Sequence, residues 1–269
     1  MAKPYYEFFC PVKVIAGNAA LEHIPFELAT LGAKKPLIIT DKGVRANGLL
    51  TPIESAFTEA DAKIAAIFDN VPPDSSLQTV RDVAKMYRDN GCDAILAVGG
   101  GSVIDTAKAT NILVSEGGDD LLKYSGAHNL PKPLKPFFVI PTTSGTGSEV
   151  TMIAVVSDTE KNVKLPFASY YLMPHAAILD PRMTQTLPPH LTAMTAMDAM
   201  THAVEAYTCL AAFLKLNGWR GALSRSCTWC CCALATWLVY ESILAIRVGV
   251  QPRCQWRQNC RPIVASCRP

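Results

Sequence analysis

Residues 197–207 read MDAMTHAVEAY and set a carboxylate, Asp198, and an imidazole, His202, four positions apart in a largely apolar run. Residues at i and i+4 lie one above the other on a helix face. The pair can therefore offer an oxygen and a nitrogen to one cation of borderline softness, Fe2+ or Zn2+. The same spacing suits an ordinary hydrogen-bonded pair at a helix end. Two donors also fall short of the three or more that a catalytic metal takes from protein. On these residues alone both readings stand.

Two glycine-bearing loops carry the second kind of chemistry. AVGGGSVIDTAKA (97–109) reads as a strand, three glycines and a helix opening near Ser102. Glycines let backbone N–H groups approach a pyrophosphate, and a helix N-terminus adds partial positive charge. The plain alternative is a tight strand–helix turn, although three consecutive glycines exceed what a turn needs, and the pattern is not G-x-G-x-x-G. PTTSGTGSEVT (141–151) follows another strand, and its Thr142, Thr143, Thr146 and Ser148 hydroxyls suit ribose or phosphate oxygens, or simply a polar loop. Asp41 ends the run LIIT. A carboxylate there can accept from an adenosine ribose and repel a 2′-phosphate, which favours NAD over NADP; it can equally be the N-cap of the next helix.

The elements that must position these residues alternate in type. Apolar runs at 35–40, 63–68, 93–98 and 136–140 predict strands. Helical spacing predicts helices over 76–91, closing on Gly91, and over 102–114. Strands alternating with helices imply βαβ units and a parallel sheet. From about residue 183 to Leu210 little reads as strand and the stretch looks helical, and Pro188 and Pro189 mark a turn before a helix that starts near His190 or Leu191.

Composition divides the chain at about residue 208. Half of the residues are apolar (49%) and 18% are charged, which is the balance of a folded protein and not of a disordered one. The formal charge of +2 recommends neither nucleic acid nor an acidic partner. Through residue 208 there are 17 Lys and Arg against 22 Asp and Glu; from Cys209 on there are 8 against 1. Only Cys10 and Cys92 lie in the first part, and eight cysteines crowd the second. Sparse cysteine fits a reducing cytoplasm, and the N-terminus lacks the basic-then-apolar build of a secretory signal. The apolar run 229–246, interrupted by Glu241 and Ser242, is borderline for a membrane span, and no membrane partner is expected. Cys227 and Cys230 form a C-x-x-C with no second pair at zinc-finger spacing, so chance pairing is the expected reading.

Together these stretches resemble the iron-containing (group III) alcohol dehydrogenases over roughly residues 5–208. The resemblance rests on TDKG (40–43), GGGSVIDTAKA (99–109), PTTSGTGSEVT (141–151), Lys164, ILDP (178–181) and TAMDAMTHAVEAY (195–207). It implies an α/β, Rossmann-like parallel-sheet dinucleotide-binding domain over 1–182, then the start of an all-α metal-binding domain over 183–216. It implies that Asp41 meets the adenosine ribose, that Gly100, Gly101 and Ser102 cradle the pyrophosphate, that Thr142, Thr143 and Thr146 line the dinucleotide, and that Lys164 approaches the nicotinamide ribose. Asp198 and His202 become metal ligands, with Fe2+ expected and Zn2+ compatible. Where the family often has Asn-Pro-Thr this chain reads PDSS (73–76), which puts Asp74 in place of a cofactor-contacting asparagine.

A larger departure concerns the metal. The family holds it with one aspartate and three histidines, whereas the histidines here are His23, His128, His175, His190 and His202, with none after 202. The change to Arg, Cys and Trp after Tyr207 is what a shift of reading frame would produce, and residues 217–269 are not expected to pack as a native domain. The expectation is an NAD- and metal-dependent alcohol dehydrogenase of the cytoplasm, acting on a small alcohol or aldehyde, with an incomplete metal site and homo-oligomerisation compatible. The rival is a dinucleotide-binding fragment without catalysis.

Overall fold

Apolar runs without a polar face need covering on both sides, which is the situation of a central parallel strand. A computed structural model describes residues 9–208, with side chains described through His202. The strands are β1 (Lys13–Ala16), β2 (Pro36–Ile39), β3 (Ala66–Phe68), β4 (Ala94–Gly99), β5 (Gly126–Ala127), β6 (Phe137–Pro141), β7 (Ile153–Asp158), β8 (Val163–Ala168) and β9 (Ala176–Leu179). The α-helices are α1 (Ile24–Thr30), α2 (Lys42–Ala46), α3 (Thr51–Glu59), α4 (Leu77–Asp89), α5 (Gly101–Glu116) and α6 (Pro189–Thr208). Every residue of β2, β4, β6 and β9 is buried.

Six strands form a parallel sheet in the order β1-β9-β6-β4-β2-β3. Side-chain alternation along the strands sorts the core into two layers. Ile38, Leu96, Val98, Phe138 and Ile178 pack with Ile24, Leu28, Ile53 and Phe57 of α1 and α3 on one face. Leu37, Ile39, Ile95, Ala97 and Val139 pack with Val83, Tyr87, Val103, Ile104 and Ala107 of α4 and α5 on the other. Burying one such Leu or Ile contributes roughly 2 kcal/mol.

The chain leaves β2 outward to β3 and returns to β4 on the opposite side of β2. That reversal opens a crevice beyond the C-terminal ends of β2 and β4, where open α/β sheets take ligands. Asp41 follows the end of β2, and the three glycines begin on Gly99, the last residue of β4.

The helices expected over 76–91 and 102–114 are α4 and α5. Ser76 caps α4, its hydroxyl accepting from Thr79 N–H at 3.2 Å, and Gly91 sits just past the end at φ 57°. α5 ends on Gly117 at φ 79°, whose N–H reaches Leu113 O. Outside the helices and strands read from the sequence lies a smaller sheet, β5-β8-β7. In it β7 and β8 pair antiparallel, setting Ser157 opposite Lys164. Ser157 N–H donates to Ser75 O at 2.7 Å, which docks this hairpin beside the 73–76 segment. β1, also unread, pairs among the described residues with β9 alone.

No helix among the described residues is long and apolar enough to cross a membrane. The expectations for residues 217–269, for the Cys227–Cys230 pair and for the run 229–246 lie outside the described residues.

Candidate functional site

The two loops interlock. β4 ends at Gly99, and Gly100 is the N-cap of α5 in an extended conformation with no side chain capping the helix. A Cβ at Gly99 would fall 2.6 Å from Val103 Cγ2 of the same helix. At Gly100 it would meet Thr143 Oγ1 at 3.2 Å, and at Gly101 it would meet Thr146 Cγ2 at 3.1 Å. Close approach thus excludes a side chain at Gly99, against its own helix, and leaves Gly100 and Gly101 in tight contact with the second loop. That loop is registered by Thr142 N–H donating to Gly99 O at 3.1 Å and turns at Gly147, which has φ 63°. The first-turn N–H groups of α5 and the hydroxyls of Thr143 and Thr146 thus share one locality. An anionic ligand finds there both backbone donors and the positive end of a sixteen-residue helix.

A third segment joins them. Asp74 N–H donates to Ser102 Oγ at 3.3 Å, and Thr106 Oγ1 donates to Ser75 Oγ at 2.8 Å. Asp74 has φ 57°, a left-handed conformation that Asn and Asp tolerate better than most residues. From β8, Lys164 Nζ lies 3.4 Å from Asp74 Oδ1, with both side chains mostly exposed. Lys164, Asp74 and Ser102 therefore form one chain of contacts across the mouth of the crevice.

Asp41 takes the capping role weighed against ribose binding. Its Oδ1 accepts from Val44 N–H at 2.9 Å at the start of α2. Oδ2 meets no donor among the described residues, so capping does not consume the carboxylate.

Asp198 and His202 lie on α6, with His202 Nε2 3.5 Å from Asp198 Oδ1 and about half of each side chain exposed. The helical spacing does what the sequence asked of it. Among the described residues, no group of three or more His, Cys, Asp or Glu could hold a metal. The described donor set, Asp198 and His202, is one oxygen residue and one nitrogen residue, which suits Fe2+ or Zn2+ chemically and is incomplete in number. α6 touches the second loop at Gly145, where a Cβ would collide with Thr195 O.

Sequence reasoning passed over three charged residues inside the same motifs. Lys108 on α5 is fully buried, Glu149 is buried, and Asp105 is partly so. Burial lowers the Lys108 pKa to about 8, against the pull of Asp105 and Glu149. It raises those of Asp105 and Glu149. The available signal was Asp105 and Lys108 three positions apart in a helix whose first fourteen residues, apart from Asn111, are otherwise small or apolar.

The sequence model of the iron-containing alcohol dehydrogenase family matches residues 11–181. The chain is 39% identical over 209 residues to the 1,3-propanediol dehydrogenase of Klebsiella pneumoniae, covering 77% of this chain and 54% of that one. It is 38% identical over 200 residues to the NAD-dependent methanol dehydrogenase of Bacillus methanolicus, covering 74% of this chain and 52% of that one. A crystal structure of a 1,3-propanediol oxidoreductase superposes with a TM-score of 0.74 at 34% identity, over 90% of this chain and 65% of that chain. The chain spans about half the length of the curated relatives it matches.

Proposed function

Because the chain belongs to the iron-containing alcohol dehydrogenase family, we propose that it serves NAD-dependent hydride transfer between a small alcohol and its aldehyde. The observation that carries this reading is the interlock of Gly100 and Gly101 with Thr143 and Thr146 at the sheet's reversal point. NAD is the dinucleotide because Asp41 stands at the end of β2, where its carboxylate disfavours a 2′-phosphate.

In this reading residues 1–182 form the dinucleotide-binding domain, and the segment from 183, with α6, opens the metal-binding domain. Gly100, Gly101 and Ser102 hold the pyrophosphate through backbone and hydroxyl donors. Thr142, Thr143 and Thr146 orient the dinucleotide from the facing loop, and Lys164 closes over it from β8. Asp198 and His202 supply two ligands to a divalent metal, with Fe2+ first and Zn2+ second. When bound, the metal supplies Lewis acidity toward the alcohol oxygen and NAD supplies the hydride acceptor. No side chain among these is a general base. A cytoplasmic setting and self-association belong to the same proposal, the former supported by the sparse cysteine before residue 209.

Titrating the full chain with NAD, beside an alcohol-oxidation assay with added Fe2+ or Zn2+, tests the proposal. NAD binding with metal-dependent turnover is expected, and absence of NAD binding overturns it. A second reading, a dinucleotide-binding module without catalysis, is favoured by the two half-exposed donors on α6. It predicts NAD binding with no turnover at any metal concentration.

A further inference from the structure

Lys108 is fully buried, and an ammonium with no access to water is tolerated only when it is fully bonded. Its three N–H donors meet three acceptors at the close of the second loop and the start of β7. They are Thr151 O at 2.8 Å, Thr151 Oγ1 at 3.2 Å and Ile153 O at 2.8 Å. One turn earlier on α5, Asp105 Oδ2 accepts from Val155 N–H at 3.0 Å, while its Oδ1 is buried with no hydrogen-bond partner. The loop is therefore tied at both ends to the β4–α5 unit, through Thr142 at its start and through residues 151–155 at its close.

We propose that Lys108 is a positioning residue for the dinucleotide cleft, clamping the 141–151 loop to α5 so that loop hydroxyls and helix N-terminus meet the same ligand. This rests on the NAD-binding reading above. A buried aliphatic side chain would fill the space equally well; it could not satisfy two backbone carbonyls and a hydroxyl. The charged groups acting on Lys108 are Asp105, on its own helix, and Glu149, in the short turn at Ser148–Val150. Loss of the Lys108 proton above about pH 8 leaves two donors for three acceptors and removes the counter-charge of both carboxyls. The clamp is thus expected to loosen on the alkaline side.

Two measurements on the full chain test the clamp: amide-exchange protection across 142–151 without ligand, and the Kd for NAD. Lys108→Met keeps the unbranched bulk and removes the donors. It is expected to lower protection at Thr142, Ser148 and Val150 while leaving 94–99 unchanged, and to raise the Kd at least tenfold. Unchanged loop protection overturns the clamp, whether or not NAD binds. Faster exchange with an unchanged Kd overturns its link to the cofactor. If the parent binds no NAD, the dehydrogenase reading fails by itself and exchange still decides the clamp. Should Lys108→Met not fold, Asp105→Asn serves, since it keeps an acceptor for Val155 and removes a charge that holds the Lys108 proton. The pH at which loop protection falls must then move below that of the parent; an unmoved midpoint overturns the proposal.

Discussion

Gly145 and Thr195 touch so closely that the loop and the helix α6 leave no volume for a methyl group between them. The second loop is held by the sheet on one side and α6 rests on its apex, one turn before Asp198.

Gly145→Ala must push loop and helix apart or strain both. Overpacking of this kind costs about 2 kcal/mol, a fall of roughly 4–8 °C in Tm for a chain of this size. Thermal melts measure it. A Tm within a degree of the parent would mean that α6 does not bear on this loop in solution.

For Asp41, NAD should bind more tightly than NADP, and Asp41→Gly should narrow the difference. Replacing an N-cap Asp by Gly costs only a few tenths of a kcal/mol, so the variant stays folded and the comparison reads the cofactor. Equal affinity of the parent for both cofactors would remove Asp41 from the ribose.

Asp74→Asn keeps a residue suited to φ 57° and deletes a carboxylate facing Lys164. An exposed pair of this kind is worth about 0.5–1 kcal/mol. Freeing Lys164 and removing negative charge beside the pyrophosphate site should therefore tighten NAD binding roughly two- to fivefold. Weaker binding by the variant would show that the carboxylate contacts the cofactor favourably.

Asp198 and His202 should hold metal weakly, because two ligands neither close a site nor pre-organise it. Dialysed protein is expected to contain little Fe or Zn, and Asp198→Ala and His202→Ala should each abolish what binding remains. Near-stoichiometric metal in the parent would show that further residues complete the site. Variants that retain metal as the parent does would make the pair structural.

His175 sets a pH limit on the sheet. Its Nδ1 accepts from Phe137 N–H at 3.2 Å, so that atom must stay unprotonated in the fold. Burial holds its pKa below the usual 6.5. The folded state thus binds fewer protons than the unfolded one over this range. The stabilisation is complete above 6.5 and is lost as pH falls through the depressed folded value. Between pH 7 and 5 the Tm of the parent should drop further than that of His175→Asn; parallel drops would contradict the assignment.

Much of this was legible in the sequence, and the omissions have physical causes. The central strands β2, β4 and β6 announce themselves as unbroken apolar runs because both their faces are covered. α4 and α5 carry their stop signals in Gly91 and Gly117. The family likeness read from the two loops and from 195–207 holds. The hairpin β7–β8 escaped because Lys164 and Pro166 interrupt β8, and β1 because four mostly exposed residues give almost no pattern. Asp105, Lys108 and Glu149 were passed over since charge normally marks a solvated face, whereas here Lys108 and Asp105 bond backbone groups inside the fold. The glycine run was read as room for a phosphate; that it is also room for Thr143 and Thr146 depends on a contact across more than 40 residues, which no local pattern encodes.

The pairing of β1 with β9 has a consequence for how the chain is made. Among the described residues Lys13–Ala16 has one strand partner, Ala176–Leu179, which is about 160 codons behind it. At roughly 5–20 residues per second, the first strand waits on the order of ten to thirty seconds before that edge of the sheet can close. Throughout that interval its backbone donors and acceptors have only water, or a chaperone, to bond with. Among the described strands of the six-stranded sheet, β1 therefore waits longest for its partner.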